Sequence, residues 1–73
     1  MDPLDTFAGN LRRLRDERGL TQERLALEAG LELTDVGRIE RREREPKLGT
    51  MTKLAAGLGV NICELFAGFP QND

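Results

Sequence analysis

Apolar stripes at helical spacing, divided by glycine and proline, leave few folds open to this sequence. In the first stripe, Leu4, Phe7, Leu11 and Leu14 recur three and four positions apart, which places them on one face of an α-helix. The residues that divide the stripes are Gly19, Gly30, Pro46 and Gly59. No segment alternates between apolar and polar residues with a period of two, so we predict an all-α fold of five short helices.

Capping residues set the predicted bounds of these helices. Asp2 and Pro3 start the first one, because aspartate is a preferred N-cap residue and proline suits the first helical position. Thr21 caps the second helix, and Asn61 with Glu64 forms a capping box before the fifth. The helices between these signals cover residues 22–29, 33–41 and 48–58. Helical spacing predicts the inward residues of the second to fifth helices, which are Leu25, Ala26, Ala29, Val36, Ile39, Leu48, Met51, Leu54, Ala55, Leu58, Ile62, Leu65 and Phe66. We assign residues 1–67 to one domain and expect residues 68–73 to form a flexible C-terminal tail.

Composition argues against several kinds of site. The chain of 73 residues has no histidine and one cysteine, so it cannot build a disulfide framework or a Cys/His zinc site within itself. That cysteine, Cys63, lies in an apolar run, and we expect it to be buried. No apolar stretch approaches the roughly 20 residues that span a bilayer, and the N-terminus lacks a signal-peptide layout. We therefore expect a cytoplasmic protein with no metal, no cofactor and no membrane contact.

Motifs and charge bear on the class of function. The sequence lacks a glycine-rich phosphate loop and a metal-ligand cluster, so we predict that the protein is not an enzyme. The net charge of −2 argues against a chain that coats nucleic acid through bulk positive charge. The arginines nevertheless cluster at positions 12–18 and 38–44. Because acidic residues lie among them, any positive face must be assembled by folding.

The second and third predicted helices are joined by Gly30, Leu31 and Glu32 alone. Two short helices around a three-residue turn with glycine form the helix-turn-helix layout. From Phe7 to Phe66, the chain resembles the XRE family, the phage repressor and Cro-like helix-turn-helix proteins. The fragments that carry the resemblance are, in order, Leu11-Arg12-Arg13-Leu14-Arg15, Gly19-Leu20-Thr21-Gln22-Glu23-Arg24-Leu25-Ala26, Ala29-Gly30-Leu31, Val36, Arg38-Ile39-Glu40-Arg41, Pro46, Leu54-Ala55, Leu58-Gly59-Val60 and Glu64-Leu65-Phe66.

The resemblance implies a five-helix repressor-like domain whose recognition helix, residues 33–41, enters the major groove of double-stranded DNA. It further implies a sequence-specific transcription regulator that binds a partly symmetric operator as a homodimer. Restriction–modification controller proteins and short phage repressors are both similar at this length, and the sequence leaves that choice open, as it does repression or activation. Because no sensor domain accompanies the DNA-binding unit, we expect no small-molecule effector.

The resemblance also implies roles for individual positions. Those that contact base edges in family members hold Leu33, Thr34, Asp35 and Arg38. Those that contact phosphates hold Gln22, Arg41 and Arg44. A structural salt bridge between the first and third helices corresponds to Arg15 and Glu40. The apolar residues expected at a two-fold dimer contact are Ile62, Leu65, Phe66 and Phe69. The alternative for this last set is that Ile62 and Phe66 close the monomer core.

Asp35 departs from the family pattern, in which an uncharged side chain is usual. A carboxylate facing DNA is repelled by phosphate unless it accepts from a cytosine amino group or pairs with a cation. We therefore leave three interpretations open: Asp35 contacts a base, pairs with Arg38 three positions on, or weakens DNA binding.

Further departures concern the third helix. Glu32 is not a preferred N-cap residue, and Gly37 costs about 1 kcal/mol relative to alanine inside a helix. Two explanations for a glycine inside this helix stay open: the backbone approaches DNA closely at Gly37, or the substitution is neutral. Arg42 stands where glycine often ends the helix, so we expect the third helix to continue further. The acidic balance, with Asp35 and Glu32, favours an alternative function, a protein-interaction module of antitoxin-like or bridging type with weak DNA affinity.

Overall fold

The structure, a computed structural model, describes residues 2–70 of the chain. Over these residues it contains four α-helices: α1 (Pro3–Glu17), α2 (Gln22–Ala29), α3 (Leu33–Glu40) and α4 (Leu48–Leu58). The predicted fifth helix is instead a short 3-10 helix, Ile62–Phe66, a type that occurs mostly in such short pieces. Within the described range, the all-α class is therefore confirmed with four α-helices in place of five. None of these helices is long and apolar enough to cross a bilayer.

The predicted caps form at the start of α1 and α2. Asp2 Oδ1 accepts a hydrogen bond from the backbone N–H of Leu4 at 2.9 Å. Thr21 Oγ1 accepts from the backbone N–H of Arg24 at 3.0 Å. Glu32 makes no side-chain cap hydrogen bond at the start of α3, as its poor capping preference predicts. The first turn of α3 is closed by the Glu32 backbone carbonyl, which accepts from the N–H groups of Asp35 at 3.1 Å and Val36 at 3.4 Å.

Arg42 corrects the prediction that the third helix continues further, because α3 ends at Glu40. Arg42 has a φ of 63°, in the left-handed region that normally favours glycine. Its N–H donates to the Ile39 carbonyl at 3.0 Å, while the N–H of the next residue reaches the Arg38 carbonyl at 2.8 Å. These two bonds form a Schellman helix end. Arg42 Nε also lies 2.7 Å from Asp5 Oδ1, so the turn is tied to α1.

One apolar core joins the five helical segments. The side chains with the least exposure are Leu11, Leu14, Leu25, Val36, Ile39, Leu54 and Leu65. All of these belong to the stripes that spacing predicted. Leu48 was predicted in the α4 stripe but is 69% exposed. It is the first residue of its helix, where side chains tilt towards the N-terminus and so away from the packed turns.

The 3-10 helix changes which C-terminal residues are buried. Cys63 is exposed, so the prediction that it is buried was wrong. In a 3-10 helix, residues three apart lie on the same side, and Ile62 and Leu65 occupy the side that packs on the core. Asn61 Oδ1 accepts from the Cys63 N–H at 2.9 Å, one residue earlier than the predicted capping box with Glu64.

The chain after this helix was predicted to form a flexible tail from residue 68. Phe69 instead packs edge-on against Phe66, with ring centroids 5.3 Å apart. Its N–H donates to the Phe66 carbonyl at 3.2 Å. Residues 71–73 of the predicted tail lie outside the described range.

Candidate nucleic-acid interface

The connection between α2 and α3 has the predicted helix-turn-helix geometry. Gly30 ends α2 with a φ of 70°, a conformation that glycine adopts without steric cost. The Leu31 N–H donates to the Ala26 carbonyl at 2.8 Å. The partly buried Leu31 side chain packs against the core and anchors the turn. α3 therefore leaves α2 in a direction set by both backbone and packing.

α3 has one buried face and one exposed face. Val36 and Ile39 are 0% and 1% exposed and hold the helix on the core. The predicted base-contact residues occupy the remaining surface: Leu33, Thr34 and Arg38 are exposed, and Asp35 is half-buried. Leu33 keeps 45% of its surface exposed although it is apolar. The structure thus presents all four of these side chains on one short helix.

An open groove of about 580 Å³ lies between the start of α2 and α3. Its lining residues are Arg15, Thr21, Gln22, Glu23, Leu33, Thr34, Gly37 and Arg41. The first N–H groups of α2 have no partner within the helix, and they carry the positive end of its dipole. The groove therefore joins two predicted phosphate contacts, Gln22 and Arg41, to two predicted base contacts. Arg38 and Arg44 are not among the lining residues.

Arg15 and Glu40 form the predicted ion pair between α1 and α3. Arg15 Nε lies 2.7 Å from Glu40 Oε2, and Nη2 lies 3.0 Å from Oε1. The side chains are 12% and 5% exposed. The hydrogen bond to Glu40 raises the pKa of Arg15 above its ordinary value, against the opposing effect of burial. This bidentate pair joins the end of α1 to the end of α3 and so fixes the orientation of α3 on the core.

Gln22 is attached to the same carboxylate. Its Nε2 donates to Glu40 Oε1 at 3.1 Å, which places the half-buried amide at the edge of the groove. An amide nitrogen has two N–H donors, so one remains for a further acceptor. Glu40 thereby positions one predicted phosphate contact as well as the helix that carries it.

Arg41 lies across α3 over Gly37, although its side chain is 56% exposed. Its Nη1 lies 2.9 Å from the point that a Cβ on Gly37 would occupy. Arg41 Nε donates to Glu43 Oε2 at 2.8 Å. Hydrogen bonding between the two raises the pKa of Arg41 and lowers that of Glu43. The sequence alone did not predict this arrangement, and the only signal for it was an unusual glycine one helical turn before an arginine.

Asp35 pairs with Arg44. Arg44 Nη1 donates to Asp35 Oδ1 at 3.3 Å, and the two side chains are 53% and 33% exposed. Asp35 therefore does pair with a cation, which was one of the three open interpretations. Its partner is Arg44, however, and not the predicted Arg38. The cause is the left-handed turn at Arg42, which brings the following loop back along α3.

The four predicted dimer residues do not share one environment. Leu65 is 0% exposed, so it has no surface to offer a second copy, and its assignment to a dimer contact was wrong. Ile62, Phe66 and Phe69 are half-buried. The Phe66 ring packs between Phe69 and Phe7, whose centroid lies 5.7 Å away. We call these three half-buried apolar residues, Ile62, Phe66 and Phe69, the C-terminal apolar patch.

Asn10 holds this patch in place, a role that no sequence pattern indicated. Its Nδ2 donates to the backbone carbonyls of Leu65 and Ala67, both at 2.8 Å. These bonds fasten the C-terminal segment to the middle of α1. The available signal was a polar residue directly before Leu11 in the α1 stripe, which spacing alone does not distinguish from a solvated position.

Two sequence comparisons bear on these features. A family model described as helix-turn-helix matches residues 11–65. The control protein C.SmaI from Serratia marcescens is 38% identical over 65 residues, which cover 89% of this chain and 77% of that protein. Residues 11–65, which the family model matches, contain α2, the turn and α3.

Solved structures give the same result. The restriction-modification controller protein C.AhdI from Aeromonas hydrophila aligns with a TM-score of 0.84 and 43% identity, over 86% of this chain and 96% of that chain. C.Esp1396I bound to a 19 base pair DNA duplex aligns with a TM-score of 0.84 and 29% identity, over 90% of this chain and 88% of that chain. Over most of its length, this chain matches the family model in sequence and the controller proteins in both sequence and fold. This chain therefore belongs to the helix-turn-helix family.

Proposed function

We propose that this protein is a transcription regulator of the restriction-modification controller type, which binds a partly symmetric operator in double-stranded DNA as a homodimer. The observation that carries the proposal is the exposed face of α3, which stands beside a groove at the start of α2. A helix held on the core by one face and bare on the other can enter a major groove. The relatives support the same function, since C.AhdI is a controller protein and C.Esp1396I is bound to a DNA duplex.

The exposed side chains divide into two chemical groups. Arg38 can donate two hydrogen bonds to the O6 and N7 atoms of guanine, and exposed Leu33 suits a thymine methyl group. Gln22, Arg41 and Arg44 have donors that suit phosphate oxygens, which fix position without reading sequence. Asp35 then acts through Arg44, since their ion pair holds that cation beside the recognition surface.

Selection of bound sequences from a random duplex pool, at two salt concentrations, tests this function. A dimeric regulator enriches a symmetric site with half-sites about one helical turn apart. The enriched duplex then becomes the target for the variants below. A folded protein that enriches no sequence at low salt would contradict operator binding.

Arg38→Ala and Arg44→Ala are expected to affect DNA binding differently. Arg38→Ala relaxes the preference at one base pair of each half-site, with a loss of about tenfold for the selected sequence. Arg44→Ala weakens binding to every duplex by the same factor, and it reduces the salt dependence of the affinity by the equivalent of about one phosphate contact. Fluorescence anisotropy on selected and scrambled duplexes, over a salt series, measures both. Equal loss of specificity in the two variants would refute the division into base and phosphate contacts.

The C-terminal apolar patch is the proposed dimer surface. Ile62→Glu places a charge on it and is expected to raise the dimer dissociation constant about tenfold or more. Analytical ultracentrifugation over a concentration series measures this change, and circular dichroism checks that the variant remains folded. Leu27→Glu is the control, because Leu27 is a 70% exposed apolar residue on α2. Dissociation of the control alone would move the interface to α2.

A second function is favoured by the carboxylates near α3. Glu43 and Asp35 neutralise two of the arginines that would otherwise meet phosphate. This arrangement suits a protein-interaction module with weak DNA affinity, of antitoxin-like or bridging type. The selection experiment separates the two functions, because only the regulator enriches a defined duplex.

A further inference from the structure

We propose that Gly37 is a positioning residue, whose missing side chain seats the Arg41 guanidinium across α3 and inside the groove. This inference rests on the proposed function, in which Arg41 meets a DNA phosphate. Gly37 determines where the Arg41 guanidinium lies when DNA approaches. In the groove, the guanidinium lies beside the start of α2 and the exposed residues of α3, rather than in the loop that follows α3.

The contacts around Gly37 carry the proposal. A Cβ at this position would lie 2.9 Å from Arg41 Nη1 and 3.7 Å from Arg41 Cζ. It would also lie 3.6 Å from Gln22 Oε1, so the space belongs to the groove. Gly37 is buried although α3 is exposed on this side, because these neighbouring side chains cover it. Only glycine leaves room for the guanidinium in this place.

Glu43 holds the guanidinium in the same position from its other edge. Its carboxylate lies 2.8 Å from Arg41 Nε and 3.4 Å from Nη2. These two contacts leave Nη1, the nitrogen that lies over Gly37, as the donor on the groove side. A phosphate at the groove can accept from this nitrogen in a charge-assisted hydrogen bond without displacing Glu43.

A substitution at Gly37 separates this role from a structural one. The atom that blocks a Cβ is the far end of a flexible side chain, so Arg41 can move away while the helix stays intact. Alanine is also the better helix former. Gly37→Ala is therefore expected to retain or raise the melting temperature and to weaken DNA binding. A merely structural glycine would move both quantities in the same direction.

The experiment is a double-mutant cycle on the full chain with the duplex selected above. We expect Gly37→Ala to lower the affinity about tenfold, the effect of one lost charge-assisted hydrogen bond. In an Arg41→Ala background, the same substitution is expected to cause no further loss. Gly9→Ala serves as the control, because a Cβ on this α1 glycine meets nothing within 4 Å. The control should leave the affinity unchanged.

The outcomes distinguish this inference from the proposed function. Unchanged affinity in Gly37→Ala, or an equal loss with and without Arg41, would overturn the positioning role while operator binding stands. A wild-type protein that binds no duplex would overturn the proposed function, and the role of Gly37 with it. Thermal unfolding of every variant, followed by circular dichroism, identifies any loss that comes from misfolding.

Discussion

Replacing Glu40 with alanine is expected to lower the free energy of unfolding by about 3 kcal/mol. The Glu40 side chain is 5% exposed and accepts hydrogen bonds from Arg15 Nε, Arg15 Nη2 and Gln22 Nε2. Without the carboxylate, the Arg15 guanidinium keeps its desolvation cost and loses its buried partner, and only the exposed Asp16 carboxylate remains, 3.5 Å from Arg15 Nη1. Loss of one member of a buried pair is therefore far more destabilising than loss of a surface pair.

Urea denaturation followed by circular dichroism measures this change. The matched control is Glu17→Ala, because Glu17 forms an exposed i,i+4 pair with Arg13 at 3.1 Å. That variant is expected to lose at most about 0.5 kcal/mol. Equal losses in the two variants would show that the buried pair does not hold α3 on α1.

A double substitution separates the charge effect from the packing effect. Arg15→Met with Glu40→Leu removes both charges and fills the space with apolar atoms. We expect this variant to be more stable than Glu40→Ala alone, since no unpaired charge remains in the interior. A double variant as unstable as the single one would assign the loss to packing.

Gly57→Ala is expected to lower the free energy of unfolding by about 2 kcal/mol. A Cβ at Gly57 would lie 3.0 Å from both the backbone nitrogen and the Cβ of Ala29, and 3.1 Å from its Cα. These atoms cannot move without separating α4 from α2. Overpacking of this kind costs about 3 kcal/mol, and the helix preference of alanine returns about 1 kcal/mol. Because α2 begins the helix-turn-helix, separation of these helices also disturbs the groove.

The same substitution at Gly49 is the control within the same helix. A Cβ there meets nothing within 4 Å, so only the helix preference acts. Gly49→Ala is expected to raise the free energy of unfolding by up to about 1 kcal/mol. Thermal and chemical unfolding of the two variants, compared with the wild type, should give changes of opposite sign. Stabilisation by both would show that α2 and α4 can adjust to the added methyl group.

Sequence patterns were sufficient to predict the α-helices and most of the core. α2 and α4 run over the predicted residues, 22–29 and 48–58, because caps, breakers and spacing act within a few residues of each other. The Arg15–Glu40 pair was implied by the family resemblance, and both side chains fall where that resemblance placed them. Base and phosphate contacts remain predictions, since they depend on DNA.

The remaining features depend on contacts between segments that the pattern treats separately. Arg42 ends α3 in a left-handed turn, although side chains disfavour it, because a Schellman pair and an ion pair with Asp5 hold it there. That turn brings Arg44 to Asp35, nine residues away. No spacing rule covers such a pair, since helical spacing relates residues three or four apart.

Sequence patterns likewise do not predict which residues of the last helical segment are buried. Leu65 and Cys63 stand in one apolar run, and their composition predicts burial for both. The 3-10 geometry turns one of them inward and leaves the other exposed. Arg41 lies one helical turn after Gly37, and the fold adds the Glu43 carboxylate, which holds the guanidinium from its other edge. Local sequence therefore determined where α2 and α4 begin and end. Tertiary packing decided the end of α3 and which side chains meet, because only the folded backbone brings distant residues within bonding distance.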